Sequence, residues 1–190
     1  MGKLIISLHI SLDGFVAGTN GEMEWIGIEE AMFDYVGSIT ERSETACYGR
    51  KTFELMDGYW PTAAEQPNAT RHDHKHSAWY NKVDKIILSN TMMGKDHDKI
   101  HFVNEAMLPE AIAAAKQKGN IACFGSPSAI HTLLAKDLVD EIYLFINPVL
   151  LGAGIPLFKG ISNRSKWKLQ ETRTFLNGNI ASLHYTRADS

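Results

Sequence analysis

Two short stretches of this sequence carry the residue types and spacing that bind phosphate. Gly49-Arg50-Lys51-Thr52 follows a β-prone run, Thr45 to Tyr48, and leads into Lys51 to Met56, which can turn into a helix. Gly125-Ser126-Pro127-Ser128 repeats the arrangement after Asn120 to Phe124, with proline suited to a first helical position. A helix start aims free backbone N–H groups outward, and glycine lets an anion approach the chain closely. The first junction adds two cations and a hydroxyl for charge-assisted bonds, whereas the second is uncharged and offers backbone and hydroxyl donors. Together they point to a dinucleotide. Each alone reads equally well as turn chemistry after a strand, and neither a GxGxxG nor a Walker sequence is present.

Other reactive side chains carry less. His72, His74 and His76 alternate, so on a strand they would share a face and could bind a metal. The surrounding Asn68-Ala69-Thr70-Arg71 is not strand-like and no carboxylate or cysteine completes an obvious ligand set, so the histidines read as part of a solvated loop and no metal is expected. Trp25, Trp60 and Trp79 could flank a planar ligand or anchor the core and loops. Cys47 and Cys123 lie inside apolar runs and read as small buried hydrophobes.

The elements that must position these residues follow from periodicity. Lys3 to Ile10 reads as a buried strand ending at the Asp13-Gly14 turn, and Ile28 to Thr40 as a helix. Gly58 to Ala78 contains Pro61, Pro67 and the histidines without a dominant period, which predicts a long surface loop. Lys85 to Ser89 and Ile100 to Val103 read as strands, Leu108 to Lys118 as an alanine-rich helix ending at Gly119, and Ser128 to Lys136 as a further helix. Val139 to Ile146 is a strand that runs into Pro148. Trp167 to Phe175 and Ile180 to Tyr185, joined by Asn177-Gly178-Asn179, form a hairpin signature. Strands alternating with helices predict an α/β fold with a mostly parallel central sheet, made mixed by the closing hairpin.

Composition narrows the function classes. A chain of 190 residues suits one domain, here 1–190, and its 44% apolar and 22% charged residues are ordinary for a globular protein. A formal charge of −3 with scattered Lys and Arg gives no support for nucleic-acid binding, and no apolar run is long enough for a membrane helix. The first residues lack the apolar core and cleavage site of a secretory signal, so the expected location is the cytoplasm.

Order and combination of motifs then carry a resemblance. Gly49-Arg50-Lys51-Thr52-Phe53-Glu54 looks like the adenine-nucleotide motif of dihydrofolate reductases, and Lys85-Ile86-Ile87-Leu88-Ser89 resembles the strand that follows in that family, ending in a serine at the 2′-phosphate. Ser11-Leu12-Asp13-Gly14-Phe15-Val16-Ala17, the Gly21 to Trp25 stretch, and Leu138-Val139-Asp140-Glu141 through Pro148-Val149-Leu150-Leu151-Gly152 resemble the C-terminal reductase domain of the bacterial riboflavin-synthesis protein. The resemblance implies a dihydrofolate reductase-like three-layer fold and an NADPH-dependent oxidoreductase acting on a C=N bond in a pteridine-like or pyrimidine-like substrate. It also implies a homodimer. Gly49, Arg50, Lys51, Thr52, Ser89 and Asn90 would hold the adenosine phosphates, Gly125, Ser126, Pro127 and Ser128 the pyrophosphate, and Val16 would lie against the cofactor.

Reduction of C=N needs a proton for the nitrogen. Asp13, after the first strand, is one candidate donor, although Asp-Gly is also ordinary turn chemistry. Glu29 is the second, four residues before Phe33 on a helix flank, with Glu30 and Asp34 offering a competing register. Met56-Asp57-Gly58-Tyr59-Trp60-Pro61 stands where the riboflavin-pathway reductases carry Asp-Pro-x-Leu-x-x-Arg, so their substrate-phosphate arginine is not evident. Phe124-Gly125-Ser126-Pro127 replaces that family's glutamate-and-double-glycine turn, and no Pro-Cys-x-x-Cys of a deaminase partner is present. Two rivals remain: a nucleotide-binding sensor or scaffold without turnover, and a metal-dependent enzyme using the histidines.

Overall fold

The computed structural model describes residues 1–161 and 164–188. In chain order the elements are β1 (Leu4–Ser11), β2 (Phe15–Ala17), α1 (Glu30–Glu41), β3 (Ser43–Gly49), α2 (Arg50–Asp57), a 3₁₀ turn (Trp60–Glu65), α3 (Arg71–Lys82), β4 (Asp84–Leu88) and β5 (Ile100–Val103). They continue as α4 (Leu108–Lys118), β6 (Asn120–Phe124), α5 (Pro127–Ala135), β7 (Glu141–Asn147), β8 (Ile155–Pro156), β9 (Trp167–Phe175) and β10 (Ile180–Arg187). An eight-stranded sheet has the order β5-β4-β3-β6-β1-β7-β10-β9, and β2 pairs with β8 in a small second sheet. Pairs from β5 through β7 are parallel, while β10 runs antiparallel to both β7 and β9. The expected mixed sheet with a terminal hairpin is what forms.

Alternation along β1 sorts the core into two faces. Leu4, Ile6, Leu8 and Ile10 pack with Leu108 and Ile112 of α4 and Ile130 and Leu133 of α5. Ile5 lies on the opposite face with Tyr48, Ala122 and Phe145, under Met32 and Ile39 of α1, Phe53 of α2, and Trp79 and Tyr80 of α3. Helices cover both faces, giving three layers. The helix that follows β6, α5, packs in the α4–α5 layer, whereas the first helices after its two neighbours in the sheet, α1 after β1 and α2 after β3, pack in the opposite layer. Such reversals open crevices at the carboxyl ends of strands, where α/β proteins take ligands.

One expectation is corrected. The segment read as a loop from Gly58 to Ala78 contains the 3₁₀ turn and most of α3. Thr70 caps α3 reciprocally with Asp73: Asp73 N–H donates to Thr70 Oγ1 and Thr70 N–H to Asp73 Oδ2. The inward face is built from His76, Ser77, Trp79 and Tyr80, all buried. Histidine and serine count as polar in a pattern search, which hid the helical period. His72 and His76 therefore lie one turn apart on one face instead of alternating along a strand. His76 packs against Trp60 (ring centroids 4.0 Å apart), Trp79 (5.1 Å) and Phe124 (6.1 Å). Enclosure among these rings pushes its pKa down to about 3, so it is a neutral core residue and not part of a solvated loop. Among the described residues no group of three or more His, Cys, Asp or Glu side chains could hold a metal ion, and no helix is long and apolar enough to cross a membrane.

Candidate functional site

The two strand–glycine–helix junctions meet. Pairing of β3 with β6, with Cys47 opposite Cys123, brings Gly49 and Gly125 to the same edge of the sheet. Gly49 N–H donates to Ser126 Oγ at 2.7 Å. A Cβ on Gly49 would stand 3.1 Å from Ser126 Oγ, and one on Gly125 would stand 3.6 Å from Thr52 Cγ2. Gly125 and the buried Ser126 both have left-handed backbones, with φ of 59° and 62°. This conformation costs a non-glycine residue about 1 kcal/mol, and the serine adopts it while its hydroxyl ties the junctions together. Neither α2 nor α5 has a side-chain cap or an acidic residue in its first turn. Their first backbone N–H groups are left for an anion, so the residues present fit a nucleotide phosphate chain.

Flanking groups complete that cradle. Ser128 Oγ lies 3.6 Å from the position a Gly49 Cβ would take. Arg50, with a side chain 40% exposed, donates to Glu54 Oε1 at 2.7 Å; this ion pair leaves its remaining N–H groups free for a phosphate. Lys51 is exposed. Leu88 pairs with Gly49, so Ser89 follows at the adjacent strand end; its hydroxyl accepts from Thr91 N–H at 3.3 Å, and Asn90 is exposed beside it.

On the other side of β6 the sheet parts. Pairing of β1 with β6 ends at Ser7–Phe124, while pairing of β1 with β7 continues to Ser11–Asn147. In that separated stretch the face of β1 toward α1 presents His9 and Ser11, following Ser7. His9 stacks on Phe145 with ring centroids 5.0 Å apart, and Asn147 Nδ2 donates to His9 Nδ1 at 3.2 Å. Burial pushes the His9 pKa down to about 4, which keeps the ring neutral. Neither His9 nor Asn147 was among the residues singled out from sequence. The available signal was the polar alternation Ser7, His9, Ser11 within a strand read as buried.

The two candidate acids occupy different positions. The Asp13 carboxylate accepts from Ser11 Oγ at 2.7 Å, Gly152 N–H at 2.7 Å and Leu151 N–H at 3.1 Å. The Ser11 hydroxyl and these amides hold its carboxyl below the usual range, and the geometry is a clamp on the loop after β7. Glu29 precedes the first turn of α1, and its Oε1 accepts from Leu176 N–H at 2.8 Å. Phe33, one turn on, stacks on His72 with ring centroids 4.0 Å apart. The competing register is engaged elsewhere, since Arg71 donates to Asp34 at 2.7 Å and lies 3.3 Å from Glu30. Val16 is buried in β2, beside the end of β1. Trp79 is a core anchor whose Nε1 donates to Ser43 O at 2.9 Å, whereas Trp60 lies against His72 and His76.

A cavity of about 190 Å³ lies between α4 and β3–β5, lined by Ile86, Val103, Ala111 and Ala115. Thr45 and Asp84 on its wall belong to strand beginnings, so it opens away from the glycine junctions.

Comparison with known proteins agrees with this architecture. A family model for the RibD C-terminal domain matches residues 2–181. The sequence is 35% identical over 188 residues to the uncharacterized protein YyaP of Bacillus subtilis (strain 168), covering 96% of this chain and 94% of that protein. The fold is similar to a pyrimidine reductase-like protein from Corynebacterium diphtheriae NCTC, with TM-score 0.69, 13% identity, and coverage of 100% of this chain and 93% of that one. It is also similar to dihydrofolate reductase from Enterococcus faecalis complexed with NADP(H), with TM-score 0.64, 17% identity, and coverage of 99% and 98%.

Proposed function

The chain belongs to the RibD C-terminal domain family, and from that premise we propose that it is an NADPH-dependent reductase of a C=N bond in a pteridine-like or pyrimidine-like substrate. The carrying observation is the meeting of two uncapped helix starts through the Gly49–Ser126 hydrogen bond, beside the crevices on either side of β6. In this reading Arg50, Lys51, Thr52, Ser89 and Asn90 take the adenosine phosphates. Gly49 lets that segment approach closely, and Gly125, Ser126, Pro127 and Ser128 form the pyrophosphate turn. Val16 packs beside the cofactor from β2. When bound, the nicotinamide supplies the hydride.

The chain's own residues then orient the substrate in the crevice where β1 parts from β6 and provide the proton. Glu29 is the donor or relay on this reading: it stands at the start of α1 and spends one carboxylate oxygen on Leu176. Asp13 is a poorer proton donor in its place, because a carboxylate receiving two backbone N–H groups and a hydroxyl is stabilised in its charged form and stays deprotonated. It serves by holding the loop at Leu151-Gly152 over the site. The protein acts as a homodimer in the cytoplasm on the same reading.

The test is titration of the purified protein with NADPH and NADH, followed by NADPH oxidation in the presence of oxidised pteridines and pyrimidines. Tight NADPH binding with substrate-dependent oxidation is the expected result. NADPH binding with no oxidation across both substrate classes would favour a nucleotide-binding protein without turnover, and absence of NADPH binding would overturn both readings.

A further inference from the structure

Two backbone groups determine the tautomer of His9. Gly27 N–H donates to Asn147 Oδ1 at 3.0 Å, and Asn147 Nδ2 donates to the Phe145 carbonyl at 3.0 Å. Turning the amide around would break both bonds, so its orientation follows from the main chain. The other hydrogen on Nδ2 points at His9 Nδ1. Nδ1 must then accept, and a neutral ring carries its proton on Nε2. Nε2 has no hydrogen-bond partner among the described residues, and it is not one of the atoms sealed in the core. It lies where β1 has parted from β6, on the face toward α1.

We propose that His9 is a specificity-determining residue whose Nε2–H donates to a carbonyl oxygen on the edge of a flat heterocyclic substrate. Asn147 is its positioning residue. The inference rests on the reading of this crevice as the substrate site of a reductase, and it adds the hydrogen-bond sense that the substrate must present there. A ligand offering an amino group at the same place would face donor to donor and leave both hydrogens unpaired. Sites built around one hydrogen-bond sense reject the opposite sense far better than they sort ligands by size. Because the ring is neutral, His9 recognises the substrate and does not protonate it.

The test uses two pteridines of the same ring and opposite sense, 2,4-dioxopteridine and 2,4-diaminopteridine, titrated into the whole protein with and without NADPH. The dioxo compound is expected to bind at least about 10-fold tighter. His9→Phe keeps the ring's bulk and its stacking on Phe145 but removes the donor, so it should erase the preference while the NADPH titration stays unchanged. A second readout needs no ligand: in ¹⁵N-histidine spectra of the unmutated protein at pH 7, His9 should show a protonated Nε2 and a bare Nδ1, and Asn147→Ala should mix the tautomers. A bare Nε2, a doubly protonated ring, or equal or absent binding of the two pteridines would overturn the assignment. Loss of NADPH binding with the dioxo preference intact would sink the cofactor reading and leave the role of His9 standing.

Discussion

Helix α3 and the helices α2 and α5 begin in opposite ways. The start of α3 is closed by the reciprocal Thr70–Asp73 cap and tied to α1 through Arg71 and Asp34. The starts of α2 and α5 have no side-chain cap, and the one hydroxyl that could serve α5, on Ser126, is spent on Gly49 N–H. A cap satisfies backbone donors within the fold, so a helix without one leaves those donors to water or a ligand. The difference separates a helix whose first turn stabilises the fold from two whose first turns are available for binding. Both kinds of start belong to one short stretch of chain, since α2 and α3 are successive helices between β3 and β4.

Mutations at the closed and open helix starts should separate their roles. The largest effect is expected at the proposed acid, Glu29 at the start of α1. Glu29→Gln should slow single-turnover NADPH oxidation by about 10²-fold or more while NADPH affinity stays near normal, because the acid acts only as C=N gains a hydride. Asp13→Asn should leave the pH dependence of that step unchanged, since its carboxylate holds a loop; normal rates in Glu29→Gln would transfer the role to another group or bound water. Next comes Arg50→Ala, which should weaken NADPH by about 1.5–3 kcal/mol and leave NADH nearly unaffected. Equal affinities of the unmutated protein for the two dinucleotides would remove the 2′-phosphate from this junction.

The closed helix should respond to acid instead of to cofactor. His76 is neutral and enclosed, with a folded pKa near 3 against an ordinary value of 6.5. Such a depressed histidine contributes stability that is present above about pH 6.5 and is lost as pH falls toward its folded value, because the unfolded chain takes up the proton first. Between pH 6.5 and 5 the loss should approach about 2 kcal/mol. Urea unfolding at the two pH values checks this, and His76→Phe should flatten the slope. His9, lowered to about 4 by burial, adds to the same trend in the same direction. The smallest effect belongs to the cap itself: Thr70→Ala should cost about 1 kcal/mol of stability with no change in NADPH affinity. A loss of NADPH affinity in that variant would mean that the closed start also serves the site.

Local chemistry made much of this legible. The strand bounds at Ile100–Val103 and Asn120–Phe124, the helix at Leu108–Lys118 and the closing hairpin were readable because glycine, proline and alternation act over a few residues. Helix α3 was not, because its buried face is made of histidine, serine and aromatic side chains whose burial depends on neighbours distant in sequence. Arg50, Lys51, Gly49 and Gly125 were legible as candidate anion binders because helix starts and glycines are local features.

Local pattern therefore gave most strands of the main sheet and most helices, and with them the α/β layering and the two glycine junctions. Tertiary structure alone decided which of these meet. Ser126 reaches Gly49 across 77 residues, and Asn147 orients His9 across 138. Sheet order places β6 between β3 and β1, so contacts that no local period encodes bring the two glycine junctions together. The same folding took Asp13 into a clamp on Gly152, a partner 139 residues away, since a carboxylate's role is set by the donors that the fold brings to it.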